Sequence, residues 1–295
     1  MRADETHLRI FDEHRALLFG IAYRMLGSVM DAEDILQDSY LAWSKTQPES
    51  IETPAAFLRT LVGRRCLDHL KSARVRRESY VGPWLPEPLR IESDPAENYE
   101  REELLRESLS TAFLILLESL NSVERAVYIL REVFQSDFTE VAGIVEKTPE
   151  NCRQILRRAR EAVNERRKRF VPPAPDAAAR MLEQFLVAVR SGDIIKFTGV
   201  LADDVRLHSD GGGVVTAALN IITGLENVAK FQLGVMKFVP EDVQLELTVL
   251  NGAPGLVLRT AANEVYSSMH LDFAEDGRIQ NIYVMRNPHK LQHLA

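Results

Sequence analysis

Asn151, Arg153 and Gln154 stand at the start of a segment that opens with Thr148-Pro149, an N-cap and first-turn proline pair. Side chains of these types, projecting from the beginning of a helix, can reach base edges in a DNA major groove. Arg and Gln can pair there bidentately. Arg157, Arg158 and Arg160 follow where they can hold phosphates. Upstream, Phe138 to Val145 reads as a short helix in which Ala142 is small enough for a close helix crossing. Glu146 to Pro149 supplies a four-residue turn. The unit has the layout of a helix-turn-helix, and an ordinary helical hairpin with a basic surface has the same pattern.

A second cationic row lies earlier. After Thr53-Pro54, a helix places Phe57, Leu58, Leu61, Val62, Leu67 and Leu70 inward, and its other side shows Arg59, Arg64, Arg65, Lys71 and Arg74. Such a helix can track a nucleic-acid backbone or a separated strand. Trp43 and Phe57 fall on the apolar stripe and are expected in the core. In the last third of the chain His208, Asp210, Tyr266, His270 and Asp272 are titratable, but their spacing defines no catalytic constellation. His270 and Asp272 share a strand face, which fits a pocket and a solvated face equally. Cys66 and Cys152 form neither a CxxC pair nor a Cys/His cluster, so neither a disulfide framework nor a metal site is expected.

The elements that must position these residues follow from hydropathy. The chain has 295 residues, 45% of them apolar, which allows two or three domains. No apolar run is long enough for a transmembrane helix, the acidic N-terminus lacks a signal pattern, and a cytoplasmic location is expected. The net charge of −7 argues against nonspecific nucleic-acid coating. Yet Arg59–Arg77 and Arg153–Arg169 are basic islands flanking an acidic strip, Glu87–Glu107. Residues 5–77 carry helical stripes, with Gly27 as a stop and Asp31 as the next cap. Tyr80 to Pro88 holds three prolines and reads as an extended linker. Helices resume over about 100–169, and Val123 to Phe134 is one of them. Beyond Val171–Pro175, an amphipathic helix over 177–189 and a shorter one over 193–201 precede strands over 243–249, 256–260, 265–273 and 279–285. Asn251-Gly252 and Asp276-Gly277 mark turns. Helices followed by antiparallel strands suggest a compact α+β domain.

Ala32-Glu-Asp-Ile-Leu-Gln-Asp38 resembles the signature of bacterial extracytoplasmic-function (ECF) sigma factors, in the helix of region 2 that grips core RNA polymerase. Asp34, Gln37 and Asp38 occupy the matching positions. The stretch 56–77 is similar to the part of region 2 that reads and opens the −10 element. Arg64 and Asp68 match, and Arg65 stands where many members carry Asn. The helix-turn-helix corresponds to region 4, which binds the −35 element. The resemblance extends to the subgroup with a fused SnoaL-like, or nuclear-transport-factor-2-like, domain. Tyr80 to Pro88, containing Trp84, Leu85, Pro86, Glu87 and Pro88, looks like that subgroup's linker motif. Asp210-Gly211-Gly212-Gly213 looks like its Asp-Gly-Gly-Gly-Lys motif, with Val214 in place of the lysine. Asn287-Pro288-His289-Lys290-Leu291 looks like its C-terminal motif, with His289 in place of Asp.

The resemblance implies a multidomain chain. An all-α region 2 (1–78), a linker (79–99) and an all-α region 4 (100–170) are followed by an α+β, cystatin-like cone domain (176–295). It implies core polymerase and promoter DNA as partners, with Arg59, Arg64, Arg65, Asp68, Lys71 and Arg74 toward −10. Asn151, Arg153, Gln154, Arg157 and Arg158 lie toward −35. A sigma factor needs its two DNA readers held apart on polymerase. No catalysis, cofactor, metal or membrane partner is expected, and polymerase supplies the chemistry. The glycines of Gly211–Gly213 permit positive φ and close approach, and their N–H groups can meet an acid or carbonyl. From this follows a regulatory clasp in which that loop and the Asn287–Leu291 tail hold the Trp84–Pro88 linker, or else a plain flexible hairpin loop. Relatives of the cone fold use an Asp or Glu base or a Tyr/Asp oxyanion site inside an apolar cone. For the last domain, small-molecule sensing ranks ahead of such catalysis. The rivals are a polymerase-independent helix-turn-helix regulator and a cyclase or isomerase.

Overall fold

The computed structural model describes residues 2–78, 80–90, 108–167 and 175–295. It divides into two compact units, 1–78 with 114–166, and 79–113 with 167–295.

In the first unit, α1 (Arg2–Leu26), α2 (Val29–Trp43) and α3 (Pro54–Glu78) pack on one another. The stripe on α1 buries Phe11, Leu18, Ile21, Ala22 and Met25. Trp43 is fully buried, and its indole N–H donates to the His7 carbonyl at 3.0 Å. Gly27 ends α1 with φ +67°, a conformation without a Cβ penalty only for glycine. The cap of α2 is Ser28 rather than Asp31. The Ser28 hydroxyl accepts from the Asp31 N–H, and Asp31 itself already lies in the first turn. Phe57 is a second correction. It is 37% exposed and lies against Trp43 with the rings tilted by 46° and their centroids 5.8 Å apart, instead of entering the core.

The same unit contains α5 (Ser122–Tyr128), α6 (Phe138–Val145) and α7 (Pro149–Arg167), while α4 (Thr111–Leu117) straddles the boundary between the units. The helix expected over 123–134 is α-helical only to Tyr128 and continues as a π-helical turn, Ile129–Val133. Asp137 caps α6, Glu146 ends it in the left-handed conformation, and the Thr148 hydroxyl accepts from Asn151 N–H at the start of α7. The α6 face packs directly on α3. A Cβ added at Gly63 would come within 2.7 Å of Ile144 Cγ2.

In the second unit, α8 (Pro175–Ser191), α9 (Ile194–Gly199) and α10 (Leu225–Met236) accompany six strands. These are β1 (Leu201–Asp210), β2 (Ile222–Thr223), β3 (Gln244–Leu250), β4 (Ala253–Arg259), β5 (Val265–Phe273) and β6 (Ile279–Met285), in spatial order β2-β1-β6-β5-β4-β3. The β1–β6 pair is parallel and the other pairs are antiparallel. The four strands expected after 240 are present. Strand β1 and helix α10 had no clear sequence signal. Leu182, Phe185, Phe197, Val205, Leu207, Val228, Met269, Leu271 and Ile282 form the core between the helices and one sheet face. The described linker residues 80–90 belong to this unit.

Replacing Gly63 by Val should push α3 off Ile144 and lower the unfolding free energy by about 1–3 kcal/mol in urea titrations. Gly143→Ala on α6, where nothing lies within 4 Å of the added Cβ, should not lower it.

Candidate functional site

Three groups of residues bear on function. The first is a face of α2. Asp34, Gln37 and Asp38 are all exposed there. Helical spacing aligns them with Met30 and Leu41, which are 42% and 51% exposed. The result is an acidic and polar strip bracketed by two apolar side chains. Met30 and Leu41 were missed in sequence because their exposure depends on which side of α2 meets α1 and α3.

The second group is cationic. On α3 the expected DNA-facing side chains are engaged within the unit. Arg59 donates in a fork to both Glu140 carboxylate oxygens, and Arg64 donates to the Gly143 carbonyl at 2.8 Å. Arg65 lies 3.7 Å from Asp38, and Lys71 pairs with Asp68 at 2.9 Å. The side chain of Arg74 lies outside the described residues. The expectation of two separated readers meets a closed packing here, because α6 supplies a carboxylate and a carbonyl that fit the guanidinium groups of α3. On α7, Asn151, Arg153, Gln154, Arg157 and Arg158 are exposed along one helix. Arg160 pairs with Glu132 from the π-helical turn at 2.7 Å.

The third group is built around Asp210, at the end of β1, whose side chain has no exposure. Its Oδ1 accepts from Tyr80 O–H at 2.6 Å and Gly212 N–H at 3.0 Å. Its Oδ2 accepts from Leu85 N–H and from Lys290 Nζ, each at 2.8 Å. Lys290 also donates to the Leu85 carbonyl at 2.7 Å, and its ammonium lies 4.3 Å from the Trp84 ring centroid and 4.8 Å from that of Tyr80. Asn287 donates to the Tyr80 oxygen at 2.9 Å. The glycine loop acts differently from the expectation. Its N–H groups do not grip the linker; Gly212 donates to Asp210, and the carboxylate takes the linker's donors. Glycine is required there for space. A Cβ at Gly212, where φ is +62°, would lie 2.2 Å from Asn287 Nδ2, and one at Gly211 would lie 2.5 Å from the Val215 carbonyl oxygen. The side chains of Val214 and His289 are exposed, and the His289 N–H donates to the Asn287 side-chain oxygen at 3.1 Å. Leu85 and Glu87 are buried.

Three further anchors had little sequence signal. Asn251, expected only as a turn residue, exchanges hydrogen bonds with Leu89 through its side-chain oxygen at 3.0 Å and its N–H at 2.8 Å, and donates to the Leu109 carbonyl. Arg90 reaches Glu246, which also accepts from Arg259 and is thereby held below the usual carboxylate range. The His293 ring meets the Pro88 carbonyl.

The titratable candidates of the sheet lie together on one face. Val205, Leu207, Met269 and Leu271 point into the helix-covered core. Strand alternation therefore sends His208, Asp210, Tyr266, His270 and Asp272 to the opposite face. His208, Tyr283 and His270 occupy one cross-strand row, with ring centroids 5.0 and 5.1 Å apart. Tyr283 O–H donates to Asp272 at 2.8 Å. Burial lowers His208 to about 4 and His270 to about 3, so both are neutral at physiological pH. Burial also raises the Asp272 carboxyl to about 6, against the donors Tyr283 and Asn281. No group of three or more His, Cys, Asp or Glu placed to hold a metal occurs among the described residues.

Asp272 gives a pH signature. The folded chain holds its proton more tightly than the unfolded chain does. The stability this contributes is complete below the ordinary Asp value of 3.8 and is lost as pH rises through about 6. Asp272→Asn should raise the melting temperature above pH 6, and the gain should vanish below pH 4 in scanning calorimetry.

A model of the sigma-70 region 2 family matches residues 10–76. The ECF RNA polymerase sigma factor SigJ of Mycobacterium tuberculosis is 33% identical over 229 residues, covering 77% of this chain and 72% of that protein. The ECF RNA polymerase sigma factor SigG of the same species is 26% identical over 299 residues, covering 90% and 77%. A crystal structure of M. tuberculosis SigJ superposes with a TM-score of 0.74 at 28% identity, covering 97% of this chain and 98% of that one.

Proposed function

Because the chain belongs to the ECF RNA polymerase sigma factors, which direct promoter-specific initiation, we propose that Asp34, Gln37 and Asp38 on α2 form its contact with core polymerase. The observation that carries this assignment is the exposure of all three side chains on one face within the matched region 2. A basic coiled partner would meet two carboxylates and a carboxamide, with Met30 and Leu41 supplying apolar contact at the ends of the strip. Rim charges of this kind set association rate and register more than raw affinity.

Promoter DNA is the second partner. Arg59, Arg64, Arg65, Asp68, Lys71 and Arg74 on α3 serve the −10 element. Asn151, Arg153, Gln154, Arg157 and Arg158 on α7 serve the −35 element, with Arg160 beside them. In the free chain Arg59 and Arg64 are held by α6. Engagement of both elements therefore exchanges Glu140 and the Gly143 carbonyl for phosphates as α3 and α6 part.

The C-terminal domain regulates by holding the linker. The Asp210–Lys290 pair fixes Tyr80 and Leu85, and Asn251 and His293 fix Leu89 and Pro88. Each residue so held is removed from the free tether between α3 and α4, which shortens the reach available to the two DNA readers. No reaction is assigned to this domain.

Purified core RNA polymerase should bind the full chain, and Asp34→Ala/Asp38→Ala should weaken that binding at least about tenfold, more at low than at high salt, by fluorescence anisotropy. Equal affinity of the variant and the parent would refute the assignment of the α2 face.

A further inference from the structure

The π-helical turn Ile129–Val133 and the first residue of α6 have no role in the assignments above. Yet they converge on the recognition helix α7. Arg131, from that turn, places its guanidinium 5.0 Å from the Phe138 ring centroid. Arg153, from the first turns of α7, places its own at the same distance from the same ring. Arg131 is fixed by donating to the Ser136 carbonyl at 3.1 Å and, more weakly, to that of Gln135 at 3.4 Å. Arg153 remains 57% exposed, and its other partner is Glu150, 3.5 Å away and itself exposed. π turns of this kind re-aim side chains, and here the turn sends Arg131 to Phe138 and Glu132 to Arg160.

We infer that Phe138 is a positioning residue for promoter recognition: its ring holds the Arg153 guanidinium in one orientation, ready for a base edge of the −35 element. The inference rests on the assignment of α7 as the −35 reader and goes beyond it by naming what aims one of its side chains. An exposed Arg has many rotamers, and ordering it on contact with DNA costs affinity and blurs selectivity. A flat guanidinium over an aromatic face keeps its donors free at the edge while its plane is fixed. Arg131 lies at the same distance from the same ring, so one aromatic side chain serves two guanidinium groups. The exposed Glu150 is a weak competitor that a base with two acceptors displaces.

The test uses core polymerase loaded with the full chain, on a promoter library randomised across the −35 element, read by transcript sequencing. Arg153→Ala should erase preference at one base position. Phe138→Leu should relax preference at that same position by about 2- to 5-fold, the range of an exposed cation–π contact, and leave the salt dependence of open-complex formation unchanged. Phe138→Tyr, which keeps the ring, should retain the parent preference. Adding Phe138→Leu to Arg153→Ala should change nothing further at that position. Parent-like preference in Phe138→Leu while Arg153→Ala loses it overturns the positioning role and leaves the α7 assignment standing. Equal relaxation at every position by Phe138→Leu also overturns it. Unchanged preference in Arg153→Ala removes both. If Phe138→Leu does not fold, Phe138→Met fills the site without a ring and is judged by the same outcomes.

Discussion

A carboxylate with no exposure to water must find all its hydrogen bonds inside the protein, and an uncompensated one is strongly destabilising. At Asp210 the partners come from three stretches far apart in sequence: Tyr80 and Leu85 in the linker, Gly212 in the following loop, and Lys290 in the tail. The backbone joins in, since the Asp210 carbonyl accepts from the N–H groups of Arg286 and Asn287. The linker, the glycine loop and the C-terminal turn are thus one structural problem with one solution. The requirement for glycine at 211 and 212, the burial of Lys290 and the aromatic character of Tyr80 and Trp84 follow from it. Removing one partner of such a pair leaves a buried charge uncompensated.

The first unit follows a different rule. Two cations of α3, the mostly buried Arg59 and the exposed Arg64, bind the protein's own acceptors on α6. The Arg59–Glu140 contact is a part-buried fork, whereas the Arg64 bond to the Gly143 carbonyl lies at the surface. The linker attachment is buried and satisfied, whereas the packing of α3 on α6 relies in part on exposed polar groups.

Much of this was legible in the sequence. Periodicity placed the helices of residues 5–77 and the strands after 240, because those segments have one clear apolar face. The three linked motifs pointed to the linker, Asp210 and Lys290 as a group. The direction of the hydrogen bonds was not legible. Glycines suggested donors, and only the fold shows Asp210 as the acceptor that gathers them. Phe57 fitted an inward stripe, but its position at the start of α3 leaves it on the rim over Trp43. Strand β1 was missed because Asp203, Asp204, Arg206 and His208 interrupt its apolar pattern; alternation explains Asp204, Arg206 and His208, while Asp203 lies where the register against β6 shifts between Leu201 and Arg206. The anchor Asn251 looked like an ordinary turn residue, since nothing local distinguishes a side chain that will meet residues 89 and 109.

Amide hydrogen exchange over residues 80–90 in the full chain, comparing the parent with Lys290→Met, reads the linker attachment at Asp210 directly. The Leu85 and Leu89 amides should be protected in the parent, because each donates to a buried side-chain oxygen. Lys290→Met should accelerate exchange at Leu85 while amides in α5 and α6 keep their protection. A linker that exchanges freely in the parent, or a Leu85 amide indifferent to the loss of Lys290, would contradict the account.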